Sequence, residues 1–184
     1  MSNRLGQYLD AVERFSSKGY GAPEAISSTR IEISRVIEAL KSFGECVRYL
    51  NTRRSSGALL ALDNEAAVQD ALYLMLRPWI ADLVPENPTD RVANRYSIKD
   101  FLSKANHLVI EAKYVRNAEH GKSIVTELNH DIETYRYHPS CDDLVFFIYD
   151  PDALIPDAGA LERHLSSERR YSEKNLRCHA VIKP

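Results

Sequence analysis

The run Asp143–Asp150, DLVFFIYD, is the segment that most constrains the fold of this 184-residue chain. Its central residues Leu144–Tyr149 are apolar without a break, and so short an apolar run favours a strand over a helix. A strand that is apolar on both faces is buried on both faces. The run therefore predicts the central strand of a sheet that is covered on both sides.

The segments around this run alternate between helical and strand-like patterns. Helical spacing of apolar residues marks three segments: 63–79, 122–138 and 160–170. Strand-like runs mark three others: 96–102, 107–115 and 177–184. The resulting order of helix, strands, helix, strand, helix and strand is typical of an α/β fold with a mixed central sheet. We therefore predict one such domain over residues 59–184, in which the proline-rich segment 84–90 is a turn and Trp79 belongs to the core.

Residues 1–58 have a different texture and predict a helical extension. Two amphipathic patterns occur there, one from Leu5 to Phe15 and one from Ile33 to Leu50. Neither contains a cluster of catalytic residue types. Because an amphipathic stripe needs to be buried, we expect this extension to pack or to mediate association.

Composition excludes several classes of protein. The net charge of −2 predicts no nucleic-acid partner from bulk charge, so any such binding must come from a local patch. The three cysteines are widely spaced and odd in number, which suits a reducing compartment. No apolar run approaches the roughly 20 residues that span a bilayer, and no secretory signal opens the sequence. We therefore expect a cytoplasmic protein without a membrane segment.

Charged residues interrupt the strand-like run His107–Val115. Because strand side chains alternate between faces, Glu111 and Lys113 lie side by side on one face. The preceding strand carries Asp100 and is expected to pair with this one as a hairpin, which brings Asp100 near Glu111. Two such carboxylates repel each other unless one binds a proton or a cation lies between them. Oxygen ligands suit a hard ion such as Mg²⁺, whereas the alternative for these residues is a surface salt-bridge cluster.

The helix before this hairpin offers another carboxylate. Glu65 continues the buried stripe of Val68, Leu72 and Leu76 at the first turn of the helix. The position suits a ligand that completes a metal site. It suits equally a residue that caps the helix and interacts with its dipole.

These residues carry a resemblance to a known family. Asp100, followed by Glu111-Ala112-Lys113, resembles the D-x(n)-(D/E)-x-K motif of the PD-(D/E)xK nuclease superfamily, which has the restriction-endonuclease-like fold. The helix NEAAVQDAL, the hairpin KDFLSKANHLVIEAKYVR and the later helix and strand resemble the same superfamily, particularly its restriction and defence-associated members. Lys99 replaces the proline that gives the motif its name.

The resemblance implies a metal-dependent endonuclease that hydrolyses phosphodiester bonds. In this chain Asp100, Glu111 and the backbone carbonyl of Ala112 would hold Mg²⁺, for which Mn²⁺ is expected to substitute, and Glu65 would complete the shell. Lys113 would orient or deprotonate the attacking water. The implied setting is the effector of a prokaryotic defence or restriction system, in antiviral defence.

The expected substrate is DNA rather than RNA, because most of the resembling families cut DNA. The basic residues expected to contact its phosphates are Arg95, Lys99, Lys104, Arg116 and Lys122. Their alternative role is a solvated surface. A double-strand cut needs two active sites, so we expect a homodimer, or docking of the helical extension to a sensor or regulatory protein. The alternative function is a catalytically silent module of the same fold that binds nucleic acid or assembles a complex.

Overall fold

The computed structural model describes residues 30–53, 57–88, 98–172 and 174–184. The helices are α1 (Ile33–Lys41), α2 (Phe43–Thr52), α3 (Glu65–Leu76), α4 (Ala118–Tyr135) and α5 (Ala158–Leu165). The strands are β1 (Val84–Pro88), β2 (Ile98–Ser103), β3 (Leu108–Tyr114), β4 (Asp143–Tyr149), β5 (Ser167–Arg170) and β6 (Asn175–Lys183). The chain divides into residues 1–30 and residues 31–184, and all these elements belong to the second unit. The predicted helix of Leu5–Phe15 lies outside the described residues.

The six strands form one mixed sheet in the order β1-β2-β3-β4-β6-β5. Strands β3, β4 and β6 are parallel to one another, whereas β1, β2 and β5 pair with their neighbours in the antiparallel sense. Strand β4 lies between β3 and β6, and Leu144–Ile148 are completely buried. The prediction of a central apolar strand in a mixed α/β sheet is therefore confirmed.

Helices cover both faces of this sheet. Helix α4 packs Ile124, Leu128 and Ile132 against the face that carries Val109 of β3. The opposite face is covered by α1, α2 and α3, and its buried residues include Val36, Leu40, Phe43, Val68, Leu72, Leu76, Ile110 and Phe147. Because side chains alternate along each strand, neighbouring residues of β3 belong to two different cores.

The amphipathic pattern of residues 33–50 forms two helices that meet at Ser42. Their apolar stripe packs on the sheet of the same chain, where the ring of Phe43 makes an edge contact with Phe147 at 4.8 Å between centroids. The prediction that this stripe is buried by packing is therefore confirmed. The division of the chain after residue 58 stays a prediction.

Three local predictions are wrong. The segment 84–90 was expected to be a turn, but its first residues form β1, which tolerates Pro85 because an edge strand leaves one side unpaired. Trp79 was expected in the core, but the chain turns after Leu76 and leaves Trp79 64% exposed. The predicted helix 160–170 ends at Leu165, and the residues after it form β5.

Lys122 does not lie at the start of a helix. Helix α4 begins at Ala118, and the Asn117 side chain caps it by accepting a hydrogen bond from the His120 N–H at 2.8 Å. Lys122 is therefore one turn inside the helix and exposed. In the part of the chain that the structure describes, no helix is long and apolar enough to span a membrane.

Gly121 fixes how closely α4 approaches the loop after β4. A β-carbon built at this position would lie 2.5 Å from the carbonyl oxygen of Leu154, which is backbone and cannot rotate away. At Gly44 of α2, the nearest atom would be 3.7 Å from such a β-carbon, an ordinary contact distance. The two glycines therefore differ in the space that surrounds them.

We predict that Gly121→Ala lowers the free energy of unfolding by about 1–3 kcal/mol, because the overlap outweighs the better helix propensity of alanine. Gly44→Ala is the matched control, and it is expected to be neutral or to gain up to about 1 kcal/mol. Urea unfolding of both variants measures the difference. Equal stability of the two variants would show that α4 is not held at this contact.

Candidate active site

The hairpin of β2 and β3 brings the predicted acidic residues together. Phe101 lies opposite Ile110 in the antiparallel register, so Asp100 is at the end of the pairing, next to Glu111. The carboxylate of Asp100 accepts a hydrogen bond from the backbone N–H of Ala112 at 2.5 Å. The predicted pairing of these strands as a hairpin is thereby confirmed.

Asp100 lies in a mostly buried position between this hairpin and α3. Its second oxygen accepts a hydrogen bond from Nε2 of Gln69 at 3.0 Å. Burial raises the pKa of Asp100 from 3.8 to about 6, and the nearby charge of Glu65 adds to the rise. The hydrogen bond from Ala112, the charge of Lys113 and the bond from Gln69 only partly offset it. The folded chain therefore holds this carboxylate in a place that favours its protonated form.

Glu111 is still more buried, with 4% of its surface exposed. Burial, and then the negative charge of Asp100, raise the pKa of Glu111 well above its usual value. The hydroxyl of Tyr135, itself buried on α4, donates a hydrogen bond to Glu111 Oε1. This bond fixes the orientation of the Glu111 side chain from the helix that covers the strand.

Lys113 is the cation of this group. Its Nζ lies 3.5 Å from Oδ2 of Asp131, one turn before Tyr135 on α4. Burial by itself lowers the pKa of Lys113, but the carboxylates of Asp131, Glu111, Glu65 and Asp100 raise it, and the net change is upward. Lys113 is therefore an ammonium near neutral pH.

The contact with Lys113 does not give Asp131 the pKa of an ordinary carboxylate. Burial raises its pKa, although the charge and hydrogen bond of Lys113 act in the opposite direction. For this pair, the upward shift of the Lys113 pKa reflects the several carboxylates around it. The upward shift of the Asp131 pKa reflects the loss of water around a single carboxylate.

Glu65 does not cap α3. The cap is Asn64, whose side-chain oxygen accepts a hydrogen bond from the Ala67 N–H at 2.9 Å. Glu65 instead lines a cavity of about 430 Å³ beside Lys113. The residues around this cavity are Asp63, Asn64, Glu65, Lys113, Tyr114, Arg116, His120 and Glu127. Its place in the first turn still suits an interaction with the helix dipole, so its role as a metal ligand stays a prediction.

The predicted DNA-contacting residues do not all reach this cavity. Arg116 lines it, whereas Lys122 does not. Lys104 lies in the turn between β2 and β3, at the opposite end of the hairpin from Lys113, so it is not brought to the site. Arg95 lies outside the described residues, and so does the side chain of Lys99.

The sequence analysis did not identify the residues of α4 that support the site. Asp131 contacts Lys113, whereas Arg136 pairs with Glu133 at 2.7 Å. A signal was present, since Asp131 lies three residues after Leu128 and four before Tyr135 on the buried stripe of α4. A charged residue on such a stripe indicates a buried partner.

His120 is a second residue that the sequence analysis did not identify. It is buried in the first turn of α4, with 8% of its surface exposed. Its Nδ1 accepts a hydrogen bond from the Arg116 N–H at 3.3 Å, and its Nε2 lies 3.4 Å from a carboxylate oxygen of Glu127. The ring thus forms part of the wall of the cavity beside Lys113.

The group as a whole offers oxygen donors rather than nitrogen or sulfur. Within residues 30–53, 57–88, 98–172 and 174–184, no three or more His, Cys, Asp or Glu side chains are grouped so that they could hold a metal ion between them. The available donors are the carboxylates of Asp100 and Glu111, with Glu65 nearby. A small number of carboxylates supplemented by water is the usual arrangement for Mg²⁺.

The raised pKa of Asp100 makes a prediction about stability in metal-free buffer. This carboxyl ionises at about 6 in the folded chain and near 3.8 when unfolded, so its contribution to stability is lost as the pH rises from 3.8 through 6. Asp100→Asn lacks this ionisation. We expect the variant to exceed the wild type by about 1–3 kcal/mol at pH 8, and this difference to shrink toward pH 4. Urea unfolding in chelator at both pH values measures it.

Asp143→Asn is the matched control, with the opposite sign. Asp143 accepts hydrogen bonds from Arg177 at 2.6 and 2.7 Å and lies 3.3 Å from His179. Although burial acts against them, these partners lower the pKa of Asp143 to about 2. Its contribution is present above 3.8 and is lost as the pH falls through 2, so this variant should be less stable at both pH 8 and pH 4. If Asp100→Asn behaved in the same way, Asp100 would not be strained by burial.

Comparison with known proteins agrees with this geometry. A model of the DpnII-MboI restriction endonuclease family (REase_DpnII-MboI) matches residues 34–184, which include every strand and every residue of the acidic group. Comparisons with curated proteins and with solved structures found no match. The predicted restriction-endonuclease-like fold is confirmed, and the enzyme class that the match supports is a DNA endonuclease. The chain belongs to the DpnII-MboI family of restriction endonucleases.

Proposed function

We propose that the chain hydrolyses phosphodiester bonds in DNA with Mg²⁺ as its cofactor and with Mn²⁺ as a substitute. The observation that carries this proposal is the geometry of the hairpin, which sets the Asp100 carboxylate beside buried Glu111 and the Lys113 ammonium. The raised pKa values of both carboxyl groups agree with it. A structural ion-pair cluster would place its carboxylates where their charge is stabilised. Here two carboxylates are held in a position that destabilises them until a cation arrives.

The residues present fit a hard divalent cation. The proposed ligands are the carboxylates of Asp100 and Glu111 and the backbone carbonyl of Ala112. Glu65 is proposed to complete the shell, although it is not grouped with both carboxylates in this structure. All of these are oxygen donors, as Mg²⁺ prefers, and the remaining positions suit water and substrate phosphate. When bound, the ion supplies positive charge that offsets the negative charge developing on the phosphate during hydrolysis.

The chain's own side chains orient the reactants. Lys113, as an ammonium, attracts a phosphate oxygen and orients the attacking water. The water oxygen forms a bond to phosphorus and releases one proton to solvent, while the bond from phosphorus to the 3′-oxygen breaks. The leaving oxygen takes up a proton from solvent, which leaves a 5′-phosphate and a 3′-hydroxyl. The raised pKa of Lys113 supports the orienting role over that of a base.

Two residues of α4 hold the side chains of Lys113 and Glu111 in position. Asp131 holds the Lys113 amine, and Tyr135 holds one oxygen of Glu111. Because both lie on one helix, the spacing between the ammonium and the carboxylate is set by a rigid element rather than by a loop.

Arg116 is the predicted DNA contact that the geometry supports best, because it lines the cavity beside Lys113. Contacts of Arg95 and Lys99 with DNA stay predictions. We further propose a cytoplasmic enzyme of a prokaryotic restriction or antiviral defence system, which acts as a homodimer or docks to a sensor or regulatory protein. A homodimer would supply the two active sites that a double-strand cut requires.

The competing function is a silent module that binds nucleic acid through the same fold. Such a module has no need of a buried carboxylate pair that destabilises the fold at neutral pH. The retained group of Asp100, Glu111 and Lys113 therefore favours the enzyme. RNA is the alternative substrate. It is tested by comparing cleavage of the DNA with cleavage of an RNA duplex of the same sequence.

We predict that Glu111→Ala and Lys113→Ala each reduce cleavage of plasmid DNA in Mg²⁺ by at least about 10²–10³-fold. Each removes one charge that acts on the reacting phosphate or on its cation. The measurement is conversion of supercoiled plasmid to nicked and linear forms, with thermal unfolding to verify the fold. Excess chelator should stop the wild-type enzyme.

The matched control is Asp70→Ala, which removes an exposed carboxylate from α3, the helix that carries Glu65. It should cleave at the wild-type rate. Cleavage that persists in both site variants, or in chelator, would show that these residues do not perform the hydrolysis.

We also predict that Asp131→Asn lowers kcat by about 10–100-fold, the usual effect of losing a residue that orients a catalytic group. KM for DNA should stay within about twofold, because Asp131 acts through Lys113 rather than on DNA. Asp131→Glu, which restores the charge, should recover part of the rate. An equal loss in both variants, or a change confined to melting temperature, would indicate a purely structural role.

A further inference from the structure

A second cleft opens at the carboxyl ends of β4 and β6. It has a volume of about 400 Å³ and lies between α2 and the ends of these strands. Its lining consists of Lys41, Gly44, Glu45, Val47, Arg48, Tyr149, Lys183 and Pro184. No residue of the proposed catalytic group takes part in this lining.

Three of the four charged side chains around this cleft are cationic. Lys41, Arg48 and Lys183 converge from three elements, and Glu45 is the one acidic side chain among the lining residues. Within the described ranges, no carboxylate lies within ion-pair distance of these three cations. Three unneutralised cations around a concave surface raise the local concentration of an anion, even in a chain whose net charge is −2.

The cleft and the cavity of the proposed active site lie along the same edge of the sheet. Tyr114, at the end of β3, lines the active-site cavity, and Tyr149, at the end of β4, lines the basic cleft. Their rings are 6.2 Å apart between centroids. In the parallel register Tyr114 lies opposite Tyr149, and Tyr149 lies opposite Lys183. Adjacent tyrosines thus line the two cavities at one edge of the sheet.

The spacing along this edge suits a nucleic-acid backbone. Two strand separations of about 4.8 Å place Lys183 roughly 10 Å from Tyr114. Phosphates recur regularly along a DNA strand, so a strand that crosses this edge presents more than one of them along it. A backbone that enters the catalytic cavity can therefore present another phosphate to the basic cleft.

We propose that the cleft formed by Lys41, Arg48 and Lys183 binds a backbone phosphate of the DNA substrate, at the sheet edge that also borders the active-site cavity. This inference rests on the proposed function, which supplies DNA as the ligand. The contact is assigned to phosphate because cations that converge from three elements attract the backbone whatever its base sequence. It supplies affinity and register, and it does not select a sequence.

The test measures binding of a fluorescein-labelled DNA duplex to the full chain by fluorescence anisotropy. The buffer contains chelator, so that cleavage is absent, and the salt concentration is varied from low to moderate. Lys41→Ala and Arg48→Ala should each weaken binding several-fold at low salt. Each should also reduce the slope of log affinity against log salt by about 1, and the double variant should reduce it by about 2. Circular dichroism verifies that each variant is folded.

The matched control is Arg163→Ala, which removes an exposed cation from α5, whose apolar residues pack in the core on the α4 side of the sheet. It should leave both the affinity and the salt slope unchanged. Wild-type affinity and slope in the double variant, or an equal loss in the control, would overturn the role of this cleft.

Cleavage of the same duplex in Mg²⁺ separates this inference from the proposed function. A wild-type chain that cuts DNA while the double variant binds normally would refute the cleft and retain the nuclease. A wild-type chain that binds without cutting, with a reduced slope in the double variant, would support the cleft and refute the nuclease. Absence of any DNA binding by the wild type at low salt would refute the cleft as well.

Discussion

The loss of water around Asp100 and Glu111 is the interaction on which the rest of the site depends. Both carboxylates lie on one hairpin, and burial is the largest cause of the raised pKa of each. The burial follows from the fold, because α4 and α3 close over opposite faces of the strand that carries Glu111. A sheet open on one side would leave these side chains hydrated, and their charge would then attract a cation only weakly. The layered architecture thus converts two ordinary acidic residues into a strong candidate cation site.

Two aspartates of this chain show how far position decides the behaviour of one residue type. Asp143 begins β4 at the amino end of the parallel strands, where Arg177 and His179 of the neighbouring strand meet it. Its charge is stabilised there, and it joins two strands. Asp100 lies toward the other end of the sheet, and its hydrogen bonds do not offset its burial. One end of the sheet therefore stabilises the fold, while the other holds charge at a cost to stability. Sites prepared for a ligand commonly show this second pattern.

The sequence predicted the parts of this structure that follow from local patterns. Unbroken apolarity identified β4, and alternation around Glu111 and Lys113 identified the strand and the face that carry the site. The residues that support the site were harder to find, because their partners are distant in sequence. Asp131 meets Lys113 only when α4 crosses the sheet, and propensity rules do not contain that contact. The prediction that Trp79 is buried was wrong for a related reason. An apolar residue at a helix end is buried only if the next turn of the chain covers it. The segment around Pro85 was wrongly predicted to be a turn, because the edge of a sheet cannot be recognised before the strand order is known.

The parallel arrangement of β3, β4 and β6 accounts for where the two cavities lie. Parallel strands end at the same edge, so the last residues of three separate segments come together there although they are far apart in sequence. Tyr114, Tyr149 and Lys183 occupy matching positions at these ends. The last side chain of each of these strands can therefore contact the same ligand at this edge. In such a sheet a catalytic group can arise on one strand and a phosphate contact on another, without any change in the core between them. That separation explains how one edge can carry a buried acidic group at β3 and a basic cleft at β6, two strands away.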